Sequence, residues 1–209
     1  MKRCVSTTSC ALVLGLMTLV CGLQLGKAQQ YGQDALTPIS AYLDGIFPST
    51  EPGVAGAPQP PSLLSETGAF TDLASLSPRA GLVPYGVNSP LWTDGSVKQR
   101  WVAVPNDGAA DSAAEQIQFS PESPWDFPVG TVAVKQFDLP TDGRDPSHIR
   151  RVETRFIVRA ANGGIYGVTY QWREDGSDAD LLLDGASEEI TVTDASGTVS
   201  TQTWSYPSR

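Results

Sequence analysis

The sequence predicts an all-β fold, an antiparallel β-sandwich or jelly roll with one short N-terminal helix. Three observations predict it. Val152–Ala160 and Gly164–Arg173 are β-rich runs on either side of Ala161-Asn162-Gly163, and an Asn-Gly pair between such runs is a strong hairpin cue. In the second run Tyr166, Val168, Tyr170 and Trp172 alternate with Gly167, Thr169, Gln171 and Arg173. A strict period of two gives a strand one buried and one wet face. Finally, several short strand-like runs are separated by Gly, Pro and Asp turns, as in sandwiches and jelly rolls.

The elements follow in chain order. Residues 63–76 hold the helix: Thr71 is its cap, with apolar residues following on one side. After Pro78 the pattern turns to strands. Gln99–Val104 is a short apolar-rich run, and Gly130–Leu139 is rich in β-formers between turn residues. The Asn-Gly hairpin comes next. Glu188–Thr193 and Val199–Tyr206 make a last hairpin around Asp194-Ala195-Ser196-Gly197.

The N-terminus reads as an export signal over residues 1–28. Lys2 and Arg3 precede an apolar run from Ala11 to Val20, and Gly26-Lys27-Ala28 offers small residues at a peptidase site. The run is short of the ~20 apolar residues that a membrane-spanning helix needs. The expected location is therefore periplasmic or extracellular, with no transmembrane segment after cleavage. Residues 29–62 are a Pro/Gly-rich flexible segment with a weak helical hint around Ile39 to Phe47. Within it, residues 48–62 carry five prolines and two glycines, a linker composition. Residues 63–209 are the β domain.

Cleavage has chemical consequences. Cys4, Cys10 and Cys21 all lie in the export segment, so disulfides, thiolate catalysis and cysteine metal sites are excluded from the mature chain. The segment takes three of the 14 basic residues and none of the 23 acidic ones, so the formal net charge moves from −9 to −12. Such an acidic chain does not suit nucleic acid or an anionic membrane.

Catalytic motifs are missing. His148 is the sole histidine, so a Ser-His-Asp triad would need it, and no Gly-x-Ser-x-Gly precedes it. It reads as a surface loop residue. No phosphate-binding glycine loop or dinucleotide fingerprint is present. Two weaker constellations remain. Asp175, Asp178 and Asp180 form an acidic stretch, a calcium candidate because oxygen ligands two apart in a loop can converge on one ion. The stretch is not an EF-hand loop, and one segment cannot supply six to eight ligands; an acidic turn ending a strand is the plainer reading. Trp92 with Asp94, and Trp125 with Asp126, are sugar candidates: an exposed indole can stack on a sugar ring while a carboxylate bonds its hydroxyls. The competing role for tryptophan is to fill the core, and Trp172 does that by its alternation.

Four segments carry a family resemblance: residues 63–105, 125–140 (WDFPVGTVAVKQFDLP), 150–182 and 201–209 (TQTWSYPSR). They resemble the N-terminal β region of a family of exported bacterial proteins with c-type haem motifs. That family is often fused to, or encoded near, sugar-dehydrogenase-like or polysaccharide-related modules. In it, a Tyr-Pro-Ser-Arg stretch is soon followed by Cys-x-x-Cys-His. Here the chain stops at Arg209, so the resemblance implies haem c only for a downstream region or a partner, and no cofactor for this chain. Without cysteine the mature chain cannot hold haem through thioethers. The resemblance implies a non-catalytic β module that forms the N-terminal part of a cytochrome-like electron-transfer protein, with a haem-bearing domain or chain as partner. A carbohydrate-binding module using exposed tryptophans, with a polysaccharide as partner, is the alternative.

Overall fold

A computed structural model describes residues 59–89, 91–105, 112–160 and 162–208. The export segment, the helical hint at 39–47 and most of the proline-rich stretch lie outside the described residues.

The fold is all-β and antiparallel. Two single 3-10 turns, Leu64–Thr67 and Ala113–Glu115, are the only helical pieces among the described residues. The ten strands are β1 (Phe70–Asp72), β2 (Ser77–Pro78), β3 (Val83–Pro84), β4 (Val97–Ala103), β5 (Val132–Pro140), β6 (Ile149–Arg159), β7 (Ile165–Trp172), β8 (Ala179–Leu182), β9 (Ala186–Thr193) and β10 (Val199–Tyr206). Strands β3 to β8 pair in sequence order as one six-stranded sheet, while β1–β2 and β9–β10 form separate two-stranded sheets. Both expected hairpins are present, as β6–β7 and β9–β10. Two-stranded hairpins, rather than a second sheet of comparable size, accompany the main sheet.

The alternation in β7 sets the first face. Tyr166, Val168, Tyr170 and Trp172 are buried. In register with them lie Val134 and Val132 on β5, Phe156 and Val158 on β6, and Trp101 and Ala103 on β4. Leu64, Phe70, Leu76 and Leu82 from the N-terminal segment complete this core. Phe70 meets Trp101 edge-on at 5.2 Å between ring centroids. Polar atoms inside it are paired, since an unmet buried donor costs about 1–3 kcal/mol. The Trp172 indole donates to Thr154 Oγ1 at 2.9 Å and to Gln136 Oε1 at 3.2 Å, and the Thr154 hydroxyl donates to Gln136.

The tail of the proline-rich stretch belongs to this core. Pro60 is buried, Tyr170 donates its hydroxyl to the Pro61 carbonyl at 2.9 Å, and Leu181 N–H donates to the Ser62 carbonyl at 2.9 Å. The expected helix from Thr71 is replaced by the β1–β2 hairpin, and the helical turn lies one step earlier, at Leu64–Thr67. The Asp72 carboxylate accepts from Ala74 N and Ser75 N, an Asx turn that competes with helix. Leu76 adopts φ +52° to close the hairpin.

A bulge in β6 sets up the second face. Phe137 pairs with Glu153 but Asp138 pairs with Arg151, so Val152 is the extra residue. A bulge re-aims the side chains that follow it. Arg151 goes to the first face, donates to the carbonyls of Leu73 and Ala74 at 2.6 Å each, and stacks over Trp172 at 5.0 Å. Arg150 goes to the second face and meets Glu188 of β9 at 2.8 Å. There Phe137, Leu139 and Val152 pack with Ile190, Trp204 and Tyr206 of the last hairpin.

Candidate functional site

The β9–β10 hairpin covers only part of the second face. Toward the other end of the sheet, alternation puts Ala133, Ile157 and Gly167 in one cross-strand row and Arg100, Lys135, Arg155 and Thr169 in the next. Ile157 is 51% exposed and Ile165 67%. The segment before β5 runs along this edge. Its loop is closed by two reciprocal backbone bonds, Gln118 N–H to the Asp126 carbonyl at 2.8 Å and Asp126 N–H to the Gln118 carbonyl at 3.1 Å. The loop carries Trp125 at its end. Its indole N–H donates to the Ser120 carbonyl at 3.1 Å, and its ring meets Phe119 edge-on at 5.4 Å.

Between loop and sheet lies an open groove of about 230 Å³, lined by Trp125, Phe127, Thr131, Ala133, Ile157, Arg159 and Ile165. Its walls are mostly apolar. Its polar feature is Arg159, whose guanidinium lies 3.0 Å from Asp126 Oδ1. No nucleophile–base pair is present among the described residues that line it. His148 lies elsewhere, in the exposed turn between β5 and β6, 3.9 Å from the Asp145 carboxylate.

The cationic row beside the groove has one buried counter-charge. The Glu153 carboxylate, fully buried, accepts from Arg155 Nε at 2.8 Å and Nη2 at 2.5 Å. Burial, reinforced by the neighbouring cations Arg100, Arg155 and Lys98, holds the Lys135 ammonium below the ordinary lysine range. Lys135 and Arg155 both lie over the Phe137 ring, at 4.7 and 4.6 Å.

The two tryptophan candidates do not form one site. Trp92 is 79% exposed in the loop before β4, and the Asp94 carbonyl accepts from Gln202 of β10 at 2.9 Å. Trp125 and Asp126 lie against the far ends of β5 and β6. Strand β4 spans that separation, roughly 20 Å at ~3.3 Å per residue. Trp125 lines the groove, and Asp126 sits at its rim, engaged by Arg159. Trp101, Trp172 and Trp204 are buried in the cores.

The calcium candidates point to separate partners. Asp178 accepts from Ser65 Oγ at 2.6 Å and from Ala179 N. Asp180 pairs with Arg173 at 2.6 Å, and Asp175 accepts from Ser177 N at 2.9 Å. Among the described residues, no three His, Cys, Asp or Glu side chains are grouped to hold a metal ion. Each carboxylate is engaged in holding the fold. Asp178 ties the N-terminal 3-10 turn to β8, and the others hold the turn after β7.

Ala133, Ile157, Arg159 and Ile165 are groove residues that no motif marks. Their signal is the wet phase of β5 and β6, which carries cations and aliphatics where a solvated face would carry small polar residues. Comparison with family profiles, curated proteins and solved structures finds no match to this chain.

Proposed function

We propose that this chain is an exported, non-catalytic β module that presents the open half of its sheet to a partner. The partner in this reading is the haem-bearing part of a c-type cytochrome-like electron-transfer protein, which the module docks and orients. The supporting observation is the groove: exposed Trp125 of the loop lies together with exposed Ile157 and Ile165 of the sheet, and clustered exposed apolar surface marks interaction sites. The test is co-expression of the chain with the coding sequence immediately downstream, followed by haem staining and 15N NMR. The expected result is a haem-staining product in which the Trp125 indole and the amides of Ile157 and Ile165 shift relative to the module alone. Unshifted signals and independent tumbling would sink the docking role.

A carbohydrate-binding module is the second reading, favoured by the half-exposed indole of Trp125 over an open groove. An aromatic face there can stack on a sugar ring. A glycan array reads it out: binding that disappears in Trp125→Ala supports it, and an array without hits removes it.

A further inference from the structure

Strands β4, β5 and β6 place Arg100 opposite Lys135 and Lys135 opposite Arg155. Like charges directly opposite one another destabilise a sheet, and here three lie on adjacent strands ~4.8 Å apart. Lys98 extends the group from two residues along β4. The overall charge makes the arrangement more pointed, since the chain as a whole carries a formal −9. The Glu153 carboxylate beside Lys135 is already bonded by Arg155. No carboxylate among the described residues is ion-paired with Arg100 or Lys135. The strip is therefore a local excess of positive charge on an acidic molecule.

The strip borders the groove. Ala133 and Ile157 line the groove and lie two residues from Lys135 and Arg155 on the same face, about 6.6 Å along the strands. The groove that Trp125 lines thus includes the row next to the cations. We infer that this surface binds an acidic polysaccharide: the strip of Arg100, Lys135 and Arg155 takes its carboxylates while a ring of the chain stacks on Trp125. This deepens the carbohydrate reading of the groove and rests on it. A ligand with charges repeating along a chain matches cations repeating across strands. The apolar groove floor matches the face of a pyranose ring better than a compact inorganic anion, which offers no apolar surface to bury.

The test uses the full chain in affinity electrophoresis through gels containing polygalacturonate, dextran or polyglutamate. Expected is retardation by polygalacturonate that fades as salt rises, because exposed charges are screened, with no retardation by dextran. The double variant R100Q/K135Q is expected to lose about tenfold or more in affinity, and Trp125→Ala is expected to lose several-fold. Lys135→Gln alone, with far-UV circular dichroism on each variant, guards against a folding defect. Undiminished polygalacturonate binding in R100Q/K135Q overturns the inference. Equal affinity for polyglutamate that ignores Trp125→Ala overturns it too. Neutral glycans that bind through Trp125 regardless of R100Q/K135Q would end the acidic-ligand inference while sparing the groove.

Discussion

The second face of the sheet is built from the same strands at both ends, yet its two halves differ. At one end Phe137, Leu139 and Val152 are sealed under Ile190, Trp204 and Tyr206. At the other, Ala133, Ile157 and Ile165 stand open beside cations. Apolar content alone does not explain the difference, because both halves place aliphatic side chains on this face. What separates them is the bulge at Val152 and the reach of one hairpin. The bulge turns Arg150 toward β9, where it meets Glu188, and the hairpin stops short of the Arg155 row. Apolar side chains on a sheet thus become core or binding surface according to what the chain lays over them later.

The sharpest way to break this contrast is to unseal the covered half. Trp204 is 1% exposed and packs edge-on against Phe137 at 5.9 Å. Replacing it with alanine removes the wedge that joins hairpin to sheet and leaves a cavity. The expected cost is about 3–5 kcal/mol, read as a lower urea midpoint with the slope little changed. The indole N–H finds no partner among the described residues, so Trp204→Phe keeps most of the packing without orphaning an acceptor. It should cost far less than the alanine. Equal losses in the two variants would mean that ring packing does not seal this half.

A smaller effect comes from the polar clasp at the hairpin's edge. Glu188 accepts from Arg150 at 2.8 Å, from Tyr206 Oη at 2.6 Å and from Gln171 at 3.1 Å. Burial raises its pKa, but the bonds from Tyr206, Arg150 and Gln171 outweigh that and hold it below the ordinary 4.5. A carboxyl with a depressed folded pKa contributes fully above its unfolded value, and the contribution disappears as pH falls through the folded pKa. The hairpin should therefore loosen below about pH 4.5. Tyr206 titrates above its ordinary 10, first through burial and then through its bond to Glu188. A group with a raised folded pKa contributes below its unfolded value, so that stability is lost only at strongly alkaline pH. Glu188→Ala takes the acceptor from Tyr206 and Gln171 and the counter-charge from Arg150, which keeps its bonds to the carbonyls of Arg151, Trp172 and Arg173, and should cost about 1.5–3 kcal/mol at neutral pH. In that variant the acid dependence below pH 4.5 should flatten. An unchanged acid limb would place the titrating group elsewhere.

How much of this is legible in the sequence depends on the range of the interaction. The β6–β7 hairpin is legible because its cues are local: an Asn-Gly turn and a period of two in β7. The last hairpin is legible for the same reason. The fate of Thr71 is not, since Asp72 captures its own backbone to form a turn, and cap propensity alone cannot rank turn against helix. The proline-rich tail has the composition of a free linker, but Pro61 and Ser62 are held by Tyr170 and Leu181, more than 100 residues later. Trp125 stands out by its residue type, whereas its groove partners Ile157 and Ile165 do not. Their exposure depends on where β9–β10 lies, which no local pattern encodes. In the acidic stretch at 175–180 the carboxylates are close in sequence, yet Asp178 bonds Ser65 and Asp180 pairs with Arg173, partners that sequence spacing does not encode.

The smallest expected effect on stability falls at the open half and sharpens the contrast most. Trp125 is 52% exposed and meets its loop through one hydrogen bond to the Ser120 carbonyl and an edge-on contact with the exposed Phe119 ring. The loop keeps its two reciprocal Gln118–Asp126 backbone bonds when the indole is gone. Trp125→Ala should therefore cost less than about 1 kcal/mol, as surface substitutions do, while weakening whatever binds in the groove. The same substitution at Trp204, which packs against the other half of that face, costs several times more and leaves the groove intact. A Trp125→Ala loss as large as that of Trp204→Ala would show that the indole is structural, and the open half would then be an unfinished edge of the core rather than a binding surface.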